Sequence, residues 1–496
     1  MTLEIVDRAN AHQSRIAIID QTGEHTYAEL ASASAEVATA LLGDQPDLSE
    51  ERVVFMVDPS FDYVRIQWGI WRAGGVAVPL CLTHPPAELG YVLDDARPTT
   101  VVGGPLFDDL LRPLAAERGI HYLRSKELGV RIGQLPQIAR DRRAMMLYTS
   151  GTTGRPKGVV TTHANIAAQI ASLVQAWEWG AADRILLTLP LHHVHGIVNV
   201  VSCALWAGAV CDMASGFDAE AIWARLSSGD LTLYMAVPTI YHRLIAAWNQ
   251  ADRDRQRGWS EGCQRLRLMV SGSAALPVPV LESWREISGQ TLLERYGMTE
   301  IGMALSNPLR GERIPGHVGR PLPGVEARLV DEHDQPVGDG VVGEVQIRGD
   351  NVFLEYWDRP EATEAAFASG DWFRTGDVAV CHDGLYRILG RASIDIIKTG
   401  GEKVSALEIE AVILTHEQVE ECAVVGLDDP EWGQRLVAAV VPISGQVPTA
   451  ESLRGWCRER LAPYKVPKDW HLVTELPRNA MGKVTKPDLV RLLIQV

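Results

Sequence analysis

The chain has 496 residues, 46% of them hydrophobic, and its 63 acidic and 47 basic side chains leave a net charge of −16. A single hydrophobic core stops growing near ~250–300 residues, so two or more domains are expected. The acidic balance argues against nucleic acid and anionic membrane as partners, since both recruit basic surface.

The opening MTLEIVDRANAH lacks the basic and then apolar segments of a signal peptide. Its early acidic residues argue against an organelle transit peptide, so a cytoplasmic location is expected. Through the first two thirds, short apolar runs alternate with longer amphipathic stretches. The runs include Arg52–Val57, Thr99–Val102, Ala144–Tyr148, Ile185–Leu189, Leu231–Ala236 and Leu266–Val270. This alternation predicts layered α/β structure with largely parallel strands. Gly196 to Cys211 is the longest uncharged apolar stretch. At sixteen residues it falls short of the ~20 that span a bilayer, so it reads as buried helix and strand and no membrane span is expected. After Gly316, Gly, Pro and Asp become frequent and strand-like runs such as Gly343–Arg348 and Leu385–Leu389 mark a β-rich subregion. A small α+β domain is expected after about Arg391, with helices over Ala406–Leu414 and Glu451–Leu461 and a strand at Ala423–Val425. Seven scattered cysteines, an odd number without a CxxC pair, read as reduced thiols.

The strongest local signal is YTSGTTGRPKG, Tyr148 to Gly158. Glycines let a backbone turn tightly and bring its N–H groups near an anion, while hydroxyls and Lys157 add donors and positive charge. Ile166, Ile170, Leu173, Val174 and Trp177 then recur at helical spacing. Strand, glycine-rich loop and helix is a phosphate-binding order. The string is not a Walker A loop, because Pro156 and Gly158 stand where that pattern needs Gly and a hydroxyl.

Tyr148 to Gly158 resembles the signature of the adenylate-forming superfamily of acyl-CoA synthetases, peptide-synthetase adenylation domains and luciferases. The resemblance runs through TYAEL near Tyr27, Ala73-Gly74-Gly75, ERYGMTE at Glu294–Glu300, WFRTGD at Trp372–Asp377 and PRNAMGKVTK around Lys483. It implies a large N-terminal domain, residues 1–391, of layered α/β subdomains plus a β-rich subdomain. A small mobile C-terminal α+β domain, residues 392–496, would carry the catalytic lysine. ATP would be held by Thr149, Ser150, Gly151, Thr152, Thr153, Gly154 and Lys157, and by Glu294, Tyr296, Gly297, Thr299, Asp377 and Arg391. Tyr296 would stack on adenine, Thr299 contact phosphate, Asp377 take the ribose hydroxyls and Glu300 help hold Mg²⁺. Lys483 would neutralise the crowded carboxylate and α-phosphate. Gly401 and Lys403 would meet CoA in the thioester-forming step.

The resemblance also bears on the acid. By that resemblance His193 in LPLHHVHG would stand beside the acyl pocket as a catalytic candidate; the three histidines lack the spacing of a helix-face metal pair. VPTIYHRL, SGSAALPVPV and ERYGMTE, together with LPLHHVHG, resemble malonyl-CoA and methylmalonyl-CoA synthetases. Arg243, Ser273 and Arg295 would then hold a distal carboxylate, the job an arginine fork suits. Other short, medium-chain or aryl acids, a stand-alone amino-acid adenylating enzyme and a silent nucleotide-binding regulator are the rival readings. The expected partners are the small molecules alone, with no obligate protein partner evident. GRASIDIIK departs from the common GRxDDxIK spacing by one residue, leaving the hinge within 392–395.

Overall fold

The structure, a computed structural model, describes residues 3–129, 133–149, 155–214, 216–478 and 484–494. Two large sheets dominate it. In the nine-stranded sheet, six parallel strands run in the order Leu293–Met298, Leu268–Ser271, Leu233–Ala236, Arg184–Leu187, Val210–Met213 and Ile16–Asp20, with antiparallel strands at both edges. In the seven-stranded sheet, Arg143–Thr149, Val76–Pro79, Arg52–Met56, Thr100–Gly103 and His121–Arg124 are parallel.

Side chains alternate across a strand, and both sheets are covered on both faces. In Leu233–Ala236, Leu233 and Met235 enter the central core while Tyr234 and Ala236 enter a second core under outer helices. In Arg52–Met56, Val53 and Phe55 face that same central core, and Val54 and Met56 face the opposite side. The helices Tyr27–Leu42, Phe61–Arg72 and His163–Ala176 fill the space between the sheets. Near-continuous apolar strands follow from this layering. Among the described residues, no helix is long and apolar enough to cross a membrane. The stretch from Gly196 divides into a buried π-helix, His195–Ser202, a short helix, Cys203–Ala207, and the strand Val210–Met213.

Next comes a five-stranded antiparallel sheet formed by Val325–Val330, Gly343–Gly349, Phe367–Ala368, Trp372–His382 and Leu385–Arg391, the β-rich region expected after Gly316. A last sheet begins at Ile396. Its central strands Val419–Asp429 and Gly433–Pro442 bury alternate residues under two sets of helices. Val424 and Ala438 meet Ala406–Ile413 and Ala450–Arg458, whereas Val425 and Val437 meet Lys486–Ile494.

One local expectation is corrected. The glycine-rich segment does not lead from a strand into a helix. Arg143–Thr149 pairs antiparallel with a second strand, Lys157–Thr162, in which Thr149 faces Lys157. The β-branched Val159 and Val160 favour that strand. The helix starts only at His163, where the Thr162 side chain caps Asn165 N–H and Asn165 reciprocates.

Candidate active site

Ser150, Gly151, Thr152, Thr153, Gly154 and Lys483 lie outside the described residues. The flanks of the glycine-rich segment are set by polar contacts: Tyr148 Oη donates to Asp95 (2.8 Å) and Tyr91 Oη to the Pro156 carbonyl (2.6 Å). Lys157 holds its ammonium 4.8 Å from the ring centre of Tyr356. The same Tyr356 donates its hydroxyl to Glu300 Oε1 at 2.9 Å. Tyr356 thus joins the cation expected at the phosphates to the carboxylate expected at the metal, a link absent from the motif strings.

The strand Leu293–Met298 distributes its residues between two sites, because successive side chains point to opposite faces. Tyr296 Oη donates to Asp377 Oδ2 (2.6 Å), and Arg391 Nε donates to Asp377 Oδ1 (3.0 Å). Asp377 and Arg391 are direct cross-strand partners, which fixes that ion pair. Tyr296, Asp377 and Arg391, the residues named for adenine and ribose, therefore meet in one hydrogen-bonded cluster. Gly297 lies so close to the next strand that a Cβ there would collide with the Gly302 carbonyl. Glu294 is buried and accepts the Gly316 N–H at 2.9 Å; burial pushes its carboxyl up to about 8. Burial also raises Glu300. Thr299 lies in the turn beside it, partly exposed.

On the other face, Arg295 Nη2 donates to Ser273 Oγ (3.3 Å), and Ser273 Oγ lies 3.1 Å from His195 Nδ1. Ser273 is held at φ +70°, strained for a side-chain-bearing residue. Arg295 is 4% exposed, its Nε finds no acceptor, and no carboxylate pairs with it among the described residues. Burial alone pushes its guanidinium down to about 9. A buried cation without a counter-ion is costly unless an anion arrives.

Arg243 is not brought to this group. It is exposed on the helix Pro238–Gln250, its guanidinium 5.4 Å from the Phe217 ring centre. His193 packs tilted against His192, with ring centres 4.0 Å apart and the ring planes at 53°. It is His195, two residues on, that meets Ser273. The sequence pointed to the histidine cluster but not to this member, because the π-helix starting at His195 sets which ring turns inward. Gly400 and Gly401, at φ +58° and +85°, form the tip of the hairpin between Ile396–Thr399 and Glu402–Ser405. Nothing stands within 4 Å of a Cβ at Gly401, and Lys403 is exposed beside it.

Residues 5–357 match the AMP-binding enzyme family and residues 408–483 match the AMP-binding enzyme C-terminal domain. Malonate–CoA ligase ACSF3, mitochondrial, of Bos taurus is 46% identical, over 98% of this chain and 89% of that protein. The crystal structure of ATP-bound MatB from Rhodopseudomonas palustris superimposes with a TM-score of 0.92 at 33% identity, covering 99% of each chain. A malonyl-CoA ligase in a ternary product complex with methylmalonyl-CoA and AMP is 36% identical and gives a TM-score of 0.70, over 96% of this chain and 100% of that one. The whole-chain arrangement is thus nearer to the ATP-bound relative.

Proposed function

The chain belongs to the AMP-binding enzyme family, and from that premise we propose that it activates malonate with ATP and passes the malonyl group to CoA. It is an AMP-forming CoA ligase, with ATP and CoA as substrates. In the first half-reaction, one malonate oxygen attacks the α-phosphorus of ATP. The bond to the β-phosphate breaks and pyrophosphate leaves, giving malonyl-adenylate. In the second, the CoA sulfur attacks the acyl carbon, the carbon–oxygen bond to AMP breaks, and the thiol proton is released.

The observation that carries the choice of acid is the buried, unpaired Arg295 beside Ser273 and His195. A monocarboxylate would leave that cation uncompensated once the pocket closes. A second carboxylate neutralises it and accepts from a planar fork. Arg243, open to water on its helix, stands outside that group, and His193 is the residue proposed beside the acyl pocket.

For the nucleotide, Thr149 to Gly154 and Lys157 hold the phosphates, with Glu294, Gly297 and Thr299 lining the site and Thr299 touching phosphate. Tyr296 takes the adenine, and Asp377 and Arg391 take the ribose. Lys483 neutralises carboxylate and α-phosphate as they meet. Glu300 suits Mg²⁺, which takes one or two carboxylates and completes its shell with substrate phosphates and water. When bound, that ion withdraws charge from the phosphate oxygens. Tyr356 keeps the carboxylate aimed through its 2.9 Å hydrogen bond. Gly401 lets pantetheine pass close to backbone, and Lys403 meets a CoA phosphate. The two domains divide near 391, and the smaller one turns between the half-reactions. The cytoplasm is the proposed compartment, consistent with seven free cysteines; the mitochondrial label belongs to the relatives, and cell fractionation distinguishes the two.

Replacing Arg295 with Met tests the acid. Removing one side of a buried charge pair lowers kcat/KM for malonate about a hundredfold or more. KM for ATP stays nearly constant. Arg243→Ala, at a water-screened site, costs less than about tenfold. An Arg295→Met enzyme that keeps its preference for malonate over acetate contradicts the proposal.

A further inference from the structure

We infer that Lys486 is a positioning residue for the adenylation half-reaction, tying the base of the segment 479–483 to the turn that carries Arg391. The inference rests on the reading that Lys483 serves adenylation.

Two sets of contacts converge on Asp395. On one side, the turn after strand Leu385–Arg391 closes on it: Asp395 N–H donates to the Arg391 carbonyl (2.8 Å), and Arg391 N–H donates to Asp395 Oδ2 (3.0 Å). Asp395 packs on Gly390, whose φ is +126° and where a side chain would displace it. On the other side, Lys486 Nζ donates to Asp395 Oδ1 at 2.6 Å and lies 2.7 Å from Glu410 Oε1. Glu410, in the helix Ala406–Ile413, also accepts the Val424 N–H of the central strand (2.7 Å).

Arg391 in turn holds Asp377, which accepts from Tyr296. One continuous path therefore runs from the nucleotide site through Asp377, Arg391 and Asp395 to Lys486. Lys486 is the first residue of the C-terminal helix, three residues after Lys483. The described residues that flank the segment 479–483 are tied together, by the Arg478–Val484 bridge and by Thr485 N–H donating to the Pro477 carbonyl (2.8 Å). An ammonium fixed at Lys486 fixes this flank, three residues from Lys483 in the chain.

The chemistry favours positioning over simple stabilisation. The side chains of Lys486, Asp395 and Glu410 are only 11%, 17% and 13% exposed, and one cation serves two carboxylates. Apolar packing would hold a helix on this sheet at less cost than desolvating three charges. A charged triad adds direction: it fixes a distance and an orientation between the turn and the helix.

The test uses the full chain and separates the half-reactions. Adenylation is read by malonate-dependent pyrophosphate exchange, and thioester formation by CoA transfer from supplied malonyl-adenylate. Lys486→Met alone would leave two carboxylates facing one another, so it is combined with Glu410→Gln. The double variant is expected to lower kcat of adenylation about tenfold, the scale of one lost charge-assisted hydrogen bond. In assays well below the variant's melting temperature, KM for ATP and thioester formation stay within about twofold, and Lys486→Arg restores most of the rate. If the double variant fails to fold, Asp395→Asn, which keeps the lysine paired with Glu410, must give the same split. Equal loss in both half-reactions, or unchanged adenylation, overturns the inference. Lys483→Ala runs in parallel: if it alone leaves adenylation intact, the reading of Lys483 falls, whatever Lys486 does.

Discussion

At the scale of residues, two adjacent side chains carry opposite electrostatic burdens. Glu294 is buried with a single backbone donor, and burial lifts its carboxyl to about 8. A carboxyl raised in the fold contributes stability that is complete below its ordinary value near 4.5 and is lost as pH rises through about 8. At about 1.4 kcal/mol per unit, the loss across that window is of order a few kcal/mol. Glu294→Gln keeps a neutral acceptor for the Gly316 N–H and should flatten the decline. Unfolding free energies measured by denaturant at mildly acid and mildly alkaline pH check this; an unchanged slope would show that Glu294 is ionised in the fold throughout. Arg295 is the complementary case, a cation awaiting an anion. By resemblance the sequence named Arg295 and Ser273 for a distal carboxylate, but nothing in it singled out His195 as their neighbour. The proposed carboxylate role depends on Ser273 and His195, twenty-two and one hundred positions away in the chain. Tyr356 was invisible for the same reason, since only the fold brings it between Lys157 and Glu300.

At the scale of elements, strands and helices were legible wherever burial on both faces left a short apolar run. Arg52–Met56 and Leu385–Arg391 fall where the apolar pattern put them. The glycine-rich segment was misread because helical spacing from Ile166 onward hid a strand whose two valines carry the pairing. The Gly400–Gly401 hairpin tip shows what periodicity cannot supply. Both residues have φ above +50°, as a two-residue turn of this hand requires, and Gly401 faces open space. A side chain at Gly401 meets backbone strain of about 1–2 kcal/mol and narrows the approach. Gly401→Leu should therefore slow CoA transfer about tenfold while leaving pyrophosphate exchange within about twofold. Loss of both half-reactions together would place Gly401 in the scaffold and not on the CoA path.

At the scale of the whole molecule, the two large sheets and their shared helices are joined by one central core. The C-terminal sheet has its own cores on each face. The chain connecting them passes through Arg391 and Asp395, so a polar path from the Tyr296–Asp377 cluster to the C-terminal helix lies in that connection. The irregular spacing of GRASIDIIK showed that this connection departs from its relatives' pattern, but not that Asp395 binds Lys486, since the two are ninety-one residues apart. The central claim is that this fold activates a dicarboxylate and not a simple acid. It is tested most directly by incubating the full chain with ATP, Mg²⁺, CoA and, separately, malonate, methylmalonate, succinate, acetate and butyrate, and scoring acyl-CoA and AMP by mass spectrometry. Malonyl-CoA and AMP are expected in equal amounts, with malonate far ahead of acetate and butyrate. Turnover of acetate or butyrate as fast as malonate, or AMP without acyl-CoA from any acid, would contradict it.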